Sequence, residues 1–268
     1  MRYTLKDYQV EAVRDVPRNL ERARDAYHRY GAKSQFSLAA TTGAGKTVMA
    51  AAVIEALFFG SDEFDVAPDP GAVVLWFSDD PALNEQSRAR IQAAASELDH
   101  RLRVVPTTFS DPSFRPGNVY FLNTQKLSKN SRLVKGAPDV NGDDTLPGLE
   151  RRPDEVQSSI YDTITNTIAN EDLTLYLVLD EADRGMGTRA SERSTTVQRL
   201  INGQGSVPPM PVVFGISATV ERFEAAMKDA KGRDALPSVQ VDSSLVQASG
   251  LLKDDIALSI PAEEGAFE

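Results

Sequence analysis

With 268 residues the chain is long enough for one large domain or two small ones, and its 41 % hydrophobic and 25 % charged content is ordinary for a soluble globular protein. The absence of cysteine excludes disulfides and thiolate metal sites, and fits a reducing cytoplasm. A net charge of −10 argues against a surface that binds nucleic acid everywhere, while leaving room for a local basic track.

Residues Thr4 to Tyr30 read as one amphipathic helix, with Tyr8, Ala12, Val13, Leu20, Ala23 and Ala26 at helical spacing and Gly31 as its stop. An apolar run over 36–40 then leads into Ala40-Thr41-Thr42-Gly43-Ala44-Gly45-Lys46-Thr47, and a helix-forming run over 48–57 leads out. Strand, small-residue loop and helix is the context of a phosphate-binding loop. Gly43 and Gly45 let backbone N–H groups around Thr42 and Ala44 turn toward a polyphosphate, and the helix N-terminus adds its positive end. Lys46 is placed to reach the β- and γ-phosphates of ATP, and the Thr47 hydroxyl to ligate Mg²⁺. Ala40 stands where this pattern normally opens with glycine.

Gly60–Gly71 is a loop rich in Asp and Pro, and continuous apolar runs follow at 72–77, 119–122, 173–179 and 211–216. Such runs suit parallel strands covered on both faces. Pro81 opens a helix expected over 81–98, bearing Leu83, Gln86, Ile91 and Leu98. Strands alternating with helices predict a doubly wound, mostly parallel α/β sheet, with ligands beyond the carboxyl ends of its strands. The polar insertion 129–153 reads as a mobile surface loop within a single domain over 1–260. After Ala230 the pattern weakens: 239–241 and 256–260 are short strand candidates, and 261–268 is an acidic tail. No N-terminal segment looks like a signal peptide and no apolar stretch is long enough to cross a bilayer, so no membrane role is expected. His28 and His100 are far apart, which leaves them packing or surface roles.

Asp180-Glu181-Ala182-Asp183 ends the fourth apolar run. Two adjacent acids there call for a cation, and Mg²⁺ bound to ATP supplies one. Asp180 would hold the metal and Glu181 would orient the attacking water. Ser217-Ala218-Thr219 ends the fifth run, where two hydroxyls could couple the carboxylates to the γ-phosphate; Thr219 equally suits a helix N-cap.

Taken in this order, the three segments resemble motifs I, II and III of superfamily 2 helicases. More narrowly, the chain resembles the N-terminal RecA-like domain of the type III restriction endonuclease Res-subunit group. Supporting stretches include Leu5-Lys6-Asp7-Tyr8-Gln9, Trp76-Phe77-Ser78 with Leu83-Asn84-Glu85-Gln86, Phe121-Leu122-Asn123-Thr124-Gln125-Lys126-Leu127, Gly215-Ile216-Ser217-Ala218-Thr219 and Ser249-Gly250-Leu251-Leu252-Lys253-Asp254. The resemblance implies an ATPase motor of a restriction or related phage-defence system, working on DNA, double-stranded ahead of RNA, with a methyltransferase or other defence subunit as a possible partner. It implies that Gln9, in a Q-motif carried by residues 1–30, reads the adenine edge, with Tyr8 or Tyr3 against the base; Tyr8 equally suits the core of its helix. It implies that Ser78, Gln86, Asn123, Thr124, Gln125 and Lys126 contact the nucleic-acid backbone. Lys126, Lys129, Arg132 and Lys135 would form the basic track, with a solvated helix face as the competing reading. Relatives more often carry His at Asp183 and Pro at Val220. The resemblance also implies a second RecA-like domain bringing arginine fingers, so the chain is expected to be part of a larger protein and weakly active alone. The rival class is a nucleotide-dependent DNA- or protein-binding module without productive turnover.

Overall fold

The computed structural model describes residues 1–128, 130–135, 158–181 and 192–251. The chain starts with helix α1 (Asp7–Tyr30), whose first turn is closed by a reciprocal cap: the Gln9 side chain accepts from Lys6 N at 2.9 Å. Gly31 ends it at φ 66°, with its N–H on the Tyr27 carbonyl and the Ala32 N–H on the Ala26 carbonyl, the left-handed stop that glycine adopts without strain.

Strand β1 (Lys33–Ala39), helix α2 (Lys46–Phe59), strand β2 (Ala72–Ser78) and helix α3 (Pro81–Ala94) follow. After a short 3₁₀ turn, Ser96–Leu98, come β3 (Leu102–Val104) and β4 (Asn118–Asn123), then a second such turn, Gln125–Leu127, and the single turn α4 (Arg132–Lys135). Helix α5 (Ile160–Ala169) leads to β5 (Thr174–Asp180), α6 (Glu192–Asn202) to β6 (Val212–Ser217), and α7 (Val220–Ala226) to β7 (Arg233–Ala235), β8 (Val239–Gln240) and α8 (Ser243–Ala248).

These eight strands form one open sheet in the order β3-β4-β2-β5-β6-β1-β7, with β8 also paired to β1, and every pairing is parallel. Strand side chains alternate between faces, which explains why the central strands are apolar throughout. Val74, Trp76, Val178 and Phe214 join the core under α1, α2 and α3, while Val73, Leu75, Leu177 and Val213 join a second core containing Ile164, Leu200 and Phe223. Gly215 lets the Phe223 ring lie on β6, since a Cβ there would come within 2.1 Å of the ring.

One expectation changes, and two strands are added. The helix expected over 81–98 stops at Ala94, because Ala95 turns extended and Leu98 is drawn into the core by the 3₁₀ turn. Strands β3 and β7 go unnoticed in the sequence, being three residues long with a charged residue inside. The expected strand at 239–241 is β8, whereas 256–260, the acidic tail and most of the 129–153 insertion lie outside the described residues. Among the described residues no helix is long and apolar enough to cross a membrane.

Candidate functional site

The carboxyl ends of β1, β5 and β6 meet at one end of the sheet. The turn after β1 carries the glycine-rich loop, in which Gly43 and Gly45 hold φ of 90° and 79°, values that L side chains rarely adopt. Ala40 has no such φ, so an alanine serves where the pattern usually has glycine; its N–H donates to the Ser217 carbonyl at 3.1 Å. Lys46 and Thr47 are the first residues of α2, and Lys46 Nζ donates to the carbonyls of Ala40 (2.8 Å) and Thr41 (3.2 Å).

The loop is held from behind by α1. Tyr8 Oη and Gln9 Nε2 both donate to the Ala44 carbonyl at 3.0 Å, and a Cβ on Gly45 would fall 2.5 Å from Gln9 Nε2. Tyr8 and Gln9 are buried, and both ends of the Gln9 amide have protein partners, Lys6 N and Ala44 O.

Asp180 ends β5 and Glu181 follows it at φ 50°, a left-handed conformation that is strained for a non-glycine residue and that turns the backbone sharply at the strand end. Asp180 accepts from Ser87 Oγ of α3 at 2.6 Å. Burial holds its carboxyl above the usual carboxylate range; the Ser87 bond opposes this and Glu181 adds to it. Ser217 is buried and lies in β6 one position past Ile216, which pairs with Asp180, while it pairs itself with Ala39 of β1. It therefore sits between the glycine-rich loop and the two acids. Thr219 Oγ1 accepts from Arg222 N and caps α7, the alternative its sequence position offered.

Between α2, α3 and β5 opens a cleft of about 350 Å³, walled by Gly45, Lys46, Thr47, Asp180 and Glu181. Helix α3 forms its other side with Leu83, Gln86, Ser87 and Arg90. Sequence reasoning missed Ser87 and Arg90; the signal was their spacing of four and seven residues from Leu83, which puts all three on one helix face. Gln86, expected on nucleic acid, lines this cleft instead.

The remaining expected nucleic-acid residues divide. Ser78 is fully buried, donating to Asn84 Oδ1 (2.7 Å) and the Asp80 carbonyl, while Asn84 Nδ2 bonds the Leu122 carbonyl. Asn123 is buried and its Oδ1 accepts from Lys126 N. Both side chains tie strand ends together and do not face solvent. Thr124 Oγ1 donates to Asp79, and the Lys126 ammonium donates to the Val105 carbonyl, where burial lowers its pKa. Gln125, Arg132 and Lys135 are exposed; Lys129, Asp183, Arg184 and Arg189 lie outside the described residues.

A glycine-rich loop, an acid pair and a hydroxyl strand end follow in that chain order on adjacent parallel strands, and the family model of the type III restriction enzyme res subunit matches residues 2–222. The chain belongs to the type III restriction enzyme res-subunit family. Its fold is an open, parallel α/β sheet with helices on both faces. Solved structures similar to it include S. cerevisiae Dbp5 bound to RNA and ADP BeF3 (13 % identity, 87 % of this chain and 50 % of that chain covered, TM-score 0.38). Another is the DUF1998 helicase MrfA bound to DNA and AMPPNP (13 % identity, 89 % of this chain and 30 % of that chain, TM-score 0.43). The chain thus spans half the length of the Dbp5 chain and less than a third of the MrfA chain. No curated protein matches it in sequence.

Proposed function

We propose that this res-family domain binds and hydrolyses ATP as one half of the motor of a DNA translocase or helicase in a restriction or related phage-defence system. The observation that carries the reading is the cleft itself: Lys46 and Thr47 from the start of α2, and Asp180 and Glu181 from the end of β5, converge on one opening. The backbone N–H groups of the glycine-rich loop and the N-terminus of α2 bind the polyphosphate. Lys46 exchanges two carbonyl partners for phosphate oxygens, a stronger, charge-assisted contact.

Mg²⁺ fits the groups present. Among the described residues no three His, Cys, Asp or Glu side chains could cage a metal. A hydroxyl and one carboxylate, Thr47 and Asp180, are the sparse donor set that suits an ion completed by phosphates and water. Bound there, the ion would neutralise charge on the terminal phosphates. Ser87 fixes one oxygen of Asp180, and Glu181, set by its left-handed backbone, orients and polarises water. Ser217 and Thr219 relay the state of the acids to β6 and α7. Gln9 keeps one amide hydrogen and one carbonyl lone pair in hand for the adenine edge while bracing Ala44.

The family supports double-stranded DNA ahead of RNA, with Gln125, Lys126 and the basic stretch through Lys135 as its track. It also supports a second RecA-like domain that supplies the transition-state arginine, worth about 10³–10⁵ in rate. Cytoplasmic work beside a methyltransferase or other defence subunit follows from the same reading. The test is Lys46→Ala: Mg·ATP affinity measured by calorimetry falls at least roughly tenfold, from the loss of charge-assisted contacts. Unchanged affinity would remove the ATP site.

A further inference from the structure

Two arginines stand two positions apart on α3, and their surroundings differ. Arg88 is committed: it pairs with Glu85 through two hydrogen bonds of 3.0 and 2.5 Å. Arg90 is exposed, lines the cleft, and makes no hydrogen bond or ion pair with any of the described residues. It shares its helix face with Leu83 and Ser87, and Ser87 bonds Asp180 directly. Arg90 therefore belongs to the α3 wall of the cleft, on the helix face whose Ser87 bonds Asp180. A cation there has no structural partner to explain it, and the groups around it, Lys46, Thr47, Asp180 and Glu181, are those that converge on a terminal phosphate.

We propose that Arg90 binds the terminal phosphate of the nucleoside triphosphate, as a cationic contact supplied by the same domain as the glycine-rich loop. This rests on the nucleotide reading above. The guanidinium suits the task because it is always charged and its fork matches two phosphate oxygens at once, whereas an ammonium offers a point charge. An exposed stem on a helix packed against α2 lets the side chain swing inward without repacking. Because the contact is to the third phosphate, a diphosphate lacks it. The domain would thus distinguish triphosphate from diphosphate before any other domain closes on the site.

The test is calorimetry on the 268-residue chain with Mg²⁺, using AMPPNP and ADP in parallel. Arg90→Ala weakens AMPPNP binding roughly tenfold, the worth of one charge-assisted contact, and changes ADP binding less than twofold. Arg90→Lys recovers part of the loss, and Arg88→Ala leaves both affinities unchanged. Circular dichroism checks that the variants fold; Arg90 supports no other residue. An Arg90→Ala chain that binds AMPPNP like the wild type, or that loses both nucleotides equally, overturns the proposal. Lys46→Ala separates the two levels. If it loses both nucleotides while Arg90→Ala binds normally, the nucleotide site stands and only the Arg90 assignment falls. If Lys46→Ala binds both as the wild type does, the site reading falls and Arg90 with it.

Discussion

A carboxylate is engaged near each end of β5, and the two are handled in opposite ways. At the amino end Asp69 accepts from Tyr176 Oη at 2.7 Å and from Gly71 N at 3.0 Å, with Arg24 at 4.0 Å. Burial beside this acid drives the Tyr176 hydroxyl well above its ordinary range, so it remains a donor. At the carboxyl end Asp180 has Ser87 on one oxygen, a second acid next to it, and an open cleft in front. A buried acid enclosed by fixed donors stabilises the fold. One that is only partly enclosed, with a strained neighbour, is what the proposed metal and nucleotide would need.

That contrast can be broken at several points. Asp69→Ala leaves two buried donors without an acceptor, and urea denaturation should show a loss of about 3 kcal/mol, with nucleotide affinity within about twofold of the wild type where the variant is folded. A loss below about 1 kcal/mol would mean the amino-end acid is not structural. Glu181→Gln comes next, with ATP turnover of the assembled motor falling about a hundredfold while ATP binding persists, as expected when a water-activating group is lost. Equal loss of both would make Glu181 a structural residue or a direct ligand. Asp180→Asn keeps the side chain's size and removes its charge. It should weaken Mg·ATP binding about tenfold without lowering the thermal midpoint, and a midpoint drop like that of Asp69→Ala would erase the distinction. The smallest effect is Ser87→Ala, which raises the Mg²⁺ concentration needed for nucleotide binding about fivefold, one hydrogen bond's worth.

The glycine-rich loop and the acid pair were legible in the sequence because their chemistry demands particular residue types at particular places. Gly43 and Gly45 had to be glycines for their φ, and two acids closing an apolar run had no structural excuse. The α3 wall was not legible. Ser87 and Arg90 acquire meaning only when the helix is set beside β5, which also puts Gln86, expected on nucleic acid, in the cleft wall. Ser78 and Asn123 are hard to read for a related reason. A polar residue at a strand end resembles a surface contact until its partners, Asn84 and the Lys126 amide, are visible. Strands β3 and β7 hide because an edge strand with neighbours on one side tolerates Arg103 or Asp234 in its middle. Half-buried Arg233 is likewise invisible beforehand: its guanidinium bonds the carbonyls of Ser34, Ile201 and Met210, and desolvation pushes its pKa down to about 10.

The strand order has a bearing on how the chain is made. Strand β1 emerges from the ribosome before any of its partners, which are Val212–Ser217 on one side and Arg233–Ala235 and Val239–Gln240 on the other. Until those segments are synthesised, β1 has two bare edges, and β2, β3, β4 and β5 can pair only with one another. The glycine-rich loop hangs from β1, so it gains its firm footing on the Ser217 carbonyl only when the last quarter of the chain is out. Long-range closure of this kind makes assembly slow and exposes an apolar strand during translation. Nucleotide supplied to a nascent chain would then act as a late clamp, favouring chains in which β6 has already slotted between β5 and β1.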